Sequence, residues 1–121
     1  MSWLSINVLI AATDLMAANN GIRNVSHVKD KLTDMYSLSE TIFSCGVAAA
    51  AKGFKIGDAG YLPDPILANN AKYYISKAVY DLIRLAEDIT GGILACCPGE
   101  KELKNPEIAP YLARYLRGVD G

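Results

Sequence analysis

Val28, Leu32, Met35, Ser39, Ile42, Gly46 and Ala49 recur at alternating steps of four and three within the stretch SHVKDKLTDMYSLSETIFSCGVAAAAK, residues 26–52. That spacing draws one apolar seam down a helix, the seam of left-handed helix packing. Ser26 is placed to cap its start. The seam shrinks from Leu and Met to Gly and Ala toward Ala51. Small residues let a neighbouring backbone approach, so close helix packing is expected there, with a ligand cavity as the alternative.

A second seam of the same kind follows. Ile75, Val79, Leu82, Ala86 and Ile89 continue the four-three rhythm. Asp64-Pro65 opens this helix with an N-cap carboxylate and a proline at the first helical position. Tyr73, Tyr74 and Tyr80 lie alongside, and such stripes serve as core or subunit contact. Lys77–Asp81 and Asp81–Arg84 stand at pairing distance on the wetter face.

Upstream, residues 3–20 read as a first helix. Leu4, Val8, Ala11, Leu15 and Ala18 repeat at helical spacing, and Ile6, Leu9 and Ile10 fill other faces. A helix apolar on several sides is expected to be covered on several sides. Asn19-Asn20-Gly21 is its stop signal. Between the long helices, Gly53, Gly57 and Gly60 punctuate a shaped loop over residues 53–62. It carries no Gly-Lys-Ser/Thr, so it is not a phosphate-binding P-loop. Downstream, Asn105-Pro106-Glu107 repeats the cap-plus-proline signal and predicts a short helix over about residues 106–117, carrying Tyr111, Leu112, Tyr115 and Leu116 and ended by Gly118. No strand pattern or internal repeat is visible. The expectation is an all-α domain over residues 1–121, an antiparallel bundle whose two helices of roughly 25 residues would each be about 40 Å long.

Bulk properties narrow the function. The chain has 121 residues, 51% hydrophobic and 21% charged, with net charge −1. That suffices for one core and excludes disorder. Lys and Arg form no stripe, which argues against nucleic acid. Met1 to Thr13 carries no charged side chain but is too short to span a bilayer, so no membrane partner is expected. Three cysteines, Cys45, Cys96 and Cys97, form no disulfide framework, which points to a cytoplasmic setting. Adjacent Cys96-Cys97 lacks the gap that aims two thiolates at one ion, and they read as packed thiols, so no metal ligand is assigned. The single histidine, His27, reads as a surface or capping residue. Glu87 and Asp88 are adjacent on a helix and project apart, so they form no shared-proton pair. No catalytic residue is assigned.

The stretch Glu87-Asp88-Ile89-Thr90-Gly91-Gly92-Ile93 marks the end of the third helix. The two glycines suit a C-cap, which needs φ > 0. Alternatively, bare N–H groups there would let a phosphate or flavin pyrophosphate come close.

Several stretches in order carry a resemblance. Tyr61-Leu62-Pro63-Asp64-Pro65, Asn69-Asn70-Ala71-Lys72-Tyr73, Ala86 through Gly92, Pro98-Gly99-Glu100-Lys101 and Tyr111-Leu112 resemble the C-terminal helical region of the 4-hydroxyphenylacetate 3-hydroxylase family. Ala18 through Ile22, with Val25, His27, Val28, Lys31 and Leu32, is similar too. The nearest branch is the one that dehydrates 4-hydroxybutyryl-CoA and isomerises vinylacetyl-CoA. The resemblance implies an acyl-CoA dehydrogenase architecture whose C-terminal part is a helical bundle, assembled as an oligomer with FAD. It implies that Thr90, Gly91 and Gly92 contact FAD across a subunit boundary. It implies an acyl-CoA substrate, and a [4Fe–4S] cluster for which this chain supplies no ligand. On this reading the chain is a piece of a larger enzyme, lacking the N-terminal helical domain, the β-domain and a final segment. It would pair with itself and with a separate N-terminal chain, and be inactive alone. The two other readings are the same piece of a flavin-dependent phenol hydroxylase and a non-catalytic oligomerisation module.

Overall fold

The computed structural model describes residues 2–58 and 60–117. Helix α1 spans Trp3–Asn19, α2 Ser26–Ala51 and α3 Pro65–Ile89. Strands β1 (Phe54–Ile56) and β2 (Gly60–Leu62) join α2 to α3, and three short helices follow: α4 (Ile93–Cys96), α5 (Glu100–Lys104) and α6 (Ala109–Tyr115). The all-α, antiparallel bundle expected from the two seams is what forms.

The α2 seam is buried at Val28, Leu32, Met35, Ser39, Ile42 and Ala49, whereas its Gly46 is exposed; on α3 the predicted Leu82, Ala86 and Ile89 are buried together with Ala78 and Leu85, while Ile75 and Val79 are half-buried. Cross-links at both ends show that these helices run antiparallel. Lys31 near the start of α2 pairs with Asp88 at the end of α3. The Asp64 N–H, at the start of α3, donates to the Ala49 carbonyl at 2.9 Å. Helix α1 runs against α2 in the same sense: Trp3 stacks on Phe43, with ring centroids 4.8 Å apart, and the Ser39 hydroxyl donates to Asn7 Oδ1 at 3.2 Å. That bond satisfies Ser39, the one polar position of the seam, which is 1% exposed.

Helix α1 overturns one expectation. Its buried stripe is Ile6, Ile10, Thr13 and Ala17. The Leu4, Val8 and Leu15 positions of the predicted repeat are 68%, 64% and 62% exposed. A helix apolar all round offers two possible faces to a bundle. The isoleucine stripe packs inward, and among the described residues nothing covers the leucine–valine stripe.

Helix starts and stops follow local chemistry. Asp64 Oδ1 accepts from the N–H groups of Ile66 and Leu67, as its N-cap position predicts. Ser26, however, is the first residue of α2 rather than its cap; Val25 holds that position without a side-chain bond. Gly21 (φ 70°) ends α1, with Ile22 N–H bonded to Ala17 O and Gly21 N–H to Ala18 O, the paired bonds of a Schellman motif. The predicted last helix splits. Asn105 Oδ1 accepts from Glu107 N–H in a separate turn, and α6 begins only at Ala109. Pro110 has no N–H to bond back to Pro106. Helix α6 ends with Leu116 at its C-cap; the expected stop at Gly118 lies outside the described residues. The Lys77–Asp81 and Asp81–Arg84 pairs are not among the ion pairs of the described residues; Lys77 sits over the Tyr73 ring instead, 5.6 Å from its centroid.

The loop over residues 53–62 is a correction. It contains an antiparallel hairpin, with Phe54 opposite Leu62, Lys55 opposite Tyr61 and Ile56 opposite Gly60. Strands of three residues are too short to show alternation in sequence. Gly53 is required at its foot: a Cβ there would come within 2.4 Å of the Tyr61 ring and 2.6 Å of Leu62 O. The Tyr61 hydroxyl also donates to the Gly53 carbonyl.

Two glycine substitutions should therefore move thermal stability in opposite directions. Gly46 lies inside α2 on an exposed face with nothing within 4 Å of a would-be Cβ. Gly46→Ala should raise stability by roughly 0.5–1 kcal/mol. Gly53→Ala should lower it by about 1–3 kcal/mol through overpacking. Thermal unfolding followed by circular dichroism reads both.

Candidate functional site

Helix α3 ends in a second Schellman motif. Thr90 is its C-cap, Gly91 and Gly92 follow at φ 69° and 76°, and their N–H groups donate to Asp88 O at 3.4 Å and Glu87 O at 2.8 Å. The Thr90 hydroxyl turns back onto Ala86 O at 2.9 Å and Glu87 O at 3.2 Å, and the residue is 7% exposed. The donors that would make this turn an anion cradle are committed to the helix. What the glycines offer is bare backbone surface: at neither does anything lie within 4 Å of a would-be Cβ.

That surface borders two hollows. The first, about 480 Å³, is walled by Met16 and Asn20 of α1, Ile22, the Ile89–Ile93 turn, Cys96 and the residues 115–117 that close α6. The second, about 470 Å³, lies on the other side of the glycines, against Arg84, Glu87 and Asp88. The motif reading singles out Thr90, Gly91 and Gly92, and the fold places all of them on one hollow. It also brings in Met16, Asn20 and Ile22, from the α1 stop signal, which no motif connects to the α3 end; only the return of α2 between the two does so.

Asp88 anchors the second hollow. Its hydrogen bond to the Lys31 ammonium, and the charge of that ammonium, hold its carboxyl below the usual 3.8, with Arg84 and His27 adding to the effect. Glu87 stays exposed. His27 is an exposed residue in the first turn of α2 and caps nothing. Cys96 and Cys97 are exposed rather than packed, because α4 is a single turn and the chain leaves it extended at Cys97. Among the described residues there is no group of three or more His, Cys, Asp or Glu able to hold a metal ion. No described helix is long and apolar enough to cross a membrane.

The bundle is of the acyl-CoA dehydrogenase kind, the fold of the solved structure on which it superposes. Residues 2–121 match the family model described as 4-hydroxyphenylacetate 3-hydroxylase C terminal, and the chain belongs to that family. It is 41% identical over 102 residues to 4-hydroxybutyryl-CoA dehydratase/vinylacetyl-CoA-Δ-isomerase of Clostridium aminobutyricum, covering 84% of this chain and 21% of that protein. It is 24% identical, over 84% of this chain and 19% of the relative, to a (3S)-3-amino-3-(3-chloro-4-hydroxyphenyl)propanoyl-[peptidyl-carrier protein SgcC2] monooxygenase of Streptomyces globisporus. An oxygen-tolerant archaeal 4-hydroxybutyryl-CoA dehydratase from N. maritimus superposes with a TM-score of 0.83 at 41% identity, covering 96% of this chain and 23% of that one. The chain thus spans about a fifth of the length of the curated relatives it matches.

The Lys31–Asp88 pair gives a pH signature. A carboxylate whose folded pKa is depressed adds stability above its unfolded pKa and loses it as pH falls through the folded value. Asp88→Asn should therefore be less stable than the parent chain at pH 7, with the gap constant down to about the ordinary carboxylate value of 3.8 and narrowing below it. Denaturant midpoints of the two proteins across pH 2–7 measure the gap.

Proposed function

We propose that this chain is the C-terminal helical piece of a FAD- and [4Fe–4S]-dependent enzyme similar to 4-hydroxybutyryl-CoA dehydratase/vinylacetyl-CoA isomerase. In this reading it supplies subunit contacts and one wall of the flavin site, and has no turnover alone. The observation that carries the reading is the match of nearly the whole bundle to a dehydratase at 41% identity and TM-score 0.83. The same identity to the clostridial protein favours the dehydratase over the hydroxylase branch, where the Streptomyces monooxygenase stands at 24%.

The residues fit a flavin in a limited way. Gly91 and Gly92 leave open a face that any side chain would occupy, on a hollow of about 480 Å³. Their N–H groups are spent, so they would hold FAD by contact of the bare backbone, with Thr90 fixing the turn rather than donating to the cofactor. FAD, when bound, supplies the electron chemistry; these residues orient it and exclude water from its edge. The charge for a pyrophosphate would come from elsewhere, on a separate N-terminal chain or a neighbouring subunit. The residues do not fit an iron–sulfur cluster, since the described residues hold no ligand group. An acyl-CoA substrate would likewise be bound mainly by parts that the relatives possess beyond this region.

The exposed Leu4–Val8–Leu15 stripe supports the subunit contact. Three large apolar side chains, each more than three-fifths exposed, line one helix face. A patch of that kind marks an interaction surface, and a second copy of the chain is the partner proposed.

FAD titration with flavin fluorescence tests the site. The chain alone should not bind. A complex with a second chain carrying the relatives' other domains should bind, and Gly91→Val with Gly92→Val should weaken it at least roughly tenfold, about 1.4 kcal/mol. A complex that binds FAD equally well with both valines contradicts the proposed wall.

Sedimentation velocity at micromolar concentration tests the contact. The parent chain should self-associate. Val8→Glu, at an exposed position, should give a monomer with an unchanged helical spectrum. A monomeric parent chain removes the claim.

A further inference from the structure

Cys96 and Cys97 are both free and both exposed. Cys96 closes the single turn of α4, and Cys97 leaves it extended, at φ −61° and ψ 127°. Cys96 also lines the first hollow beside Gly92. Neighbouring residues keep their Cα atoms about 3.8 Å apart across a trans peptide. Two thiols so close cannot reach a direct disulfide without distorting the backbone. The spacing that argues against a tetrahedral metal ion, which needs further ligands from the protein, leaves room for a three-coordinate arsenic, whose bonds to sulfur are longer than a disulfide's and which asks for these two thiolates alone. Residues 97–99 form no helix or turn before α5 begins at Glu100, so the pair stands at the end of a helix, exposed to solvent and, at Cys96, bordering the hollow.

We infer that Cys96-Cys97 is a vicinal dithiol site for a trivalent arsenical, a soft electrophile that takes two thiolates at once. With an organoarsenic oxide the step balances without electron transfer. Two S–H bonds and the arsenic–oxygen bond break. Two arsenic–sulfur bonds form, the two protons leave with the oxygen as one water, and arsenic stays trivalent. The inference goes beyond the flavin reading and holds whether or not a flavin lies against Gly91 and Gly92. Bound there, the arsenical would stand at the wall of the first hollow.

Phenylarsine oxide is the probe, added to the purified chain and followed by intact-protein mass spectrometry. The chain should take up a single phenylarsine with loss of one water. Two of its three thiols should disappear from a thiol titration. The adduct should survive excess glutathione and be stripped by 2,3-dimercaptopropanol. Cys96→Ser and Cys97→Ser should each lose roughly 100-fold or more in retention against glutathione, the advantage of two tethered ligands over one. Cys45→Ser should behave as the parent chain. Circular dichroism checks that each variant keeps its helices, and both cysteines are exposed enough for serine to be accommodated. Equal release from the parent and the single variants overturns the inference, as does loss of the adduct in Cys45→Ser.

Discussion

Burial of Met35, Ile42, Ala78, Leu82 and Ala86 between the two long helices is the constraint on which the other features rest. The side chains of Met35, Ala78 and Leu82 are fully buried, so neither helix can slide without opening a void, at a cost of several kcal/mol. That fixed register sets Lys31 against Asp88 at one end and Ala49 against Asp64 at the other. With α2 and α3 locked, α1 has one groove left, and Ile6, Ile10 and Ala17 fill it. The end of α1 then meets the end of α3. The hollow beside Gly91 and Gly92 is a product of packing, assembled from two helix stops some seventy residues apart, at Asn20 and Thr90.

The same packing changes the chemistry read into the glycine turn. A Gly-Gly pair viewed as sequence suggests free N–H groups. Viewed as a helix end, it is a set of donors already claimed by the last carbonyls. Gly91 and Gly92 donate to Asp88 and Glu87, and Thr90 folds its hydroxyl back onto the helix. The turn is therefore rigid and smooth rather than polar. A surface of that kind can lie flat against a large planar ligand, but cannot neutralise a phosphate; in the proposed flavin site that charge would come from outside this bundle.

The long helices were legible because their seams repeat over about six turns of α2 and about four of α3. Asp64-Pro65 set the start of α3 and Asn19-Asn20-Gly21 the end of α1, both from side-chain and φ preferences that act locally. What stayed hidden depends on choices between near-equal alternatives. Helix α1 has two apolar stripes, and only its neighbours decide that Ile6–Ile10 rather than Val8–Leu15 turns inward. Hairpin β1–β2 has strands too short for a period. The division of the last helix turns on Pro110, whose missing donor matters only because Asn105 ties off a separate turn upstream. At the site, Thr90, Gly91 and Gly92 were visible as a motif, whereas Met16, Asn20 and Cys96 join them through the fold alone.

In the proposed function the Thr90-Gly91-Gly92 turn forms one wall of a flavin site completed from outside this bundle. Photolabelling with an azido-FAD, bound to a complex of this chain with one carrying the relatives' other domains, tests it most directly. Trypsin releases residues 85–101 as one peptide, between Arg84 and Lys101, containing the turn and Cys96. Label on this chain should concentrate in that peptide. Label found only on the partner, or elsewhere in this bundle, would contradict it.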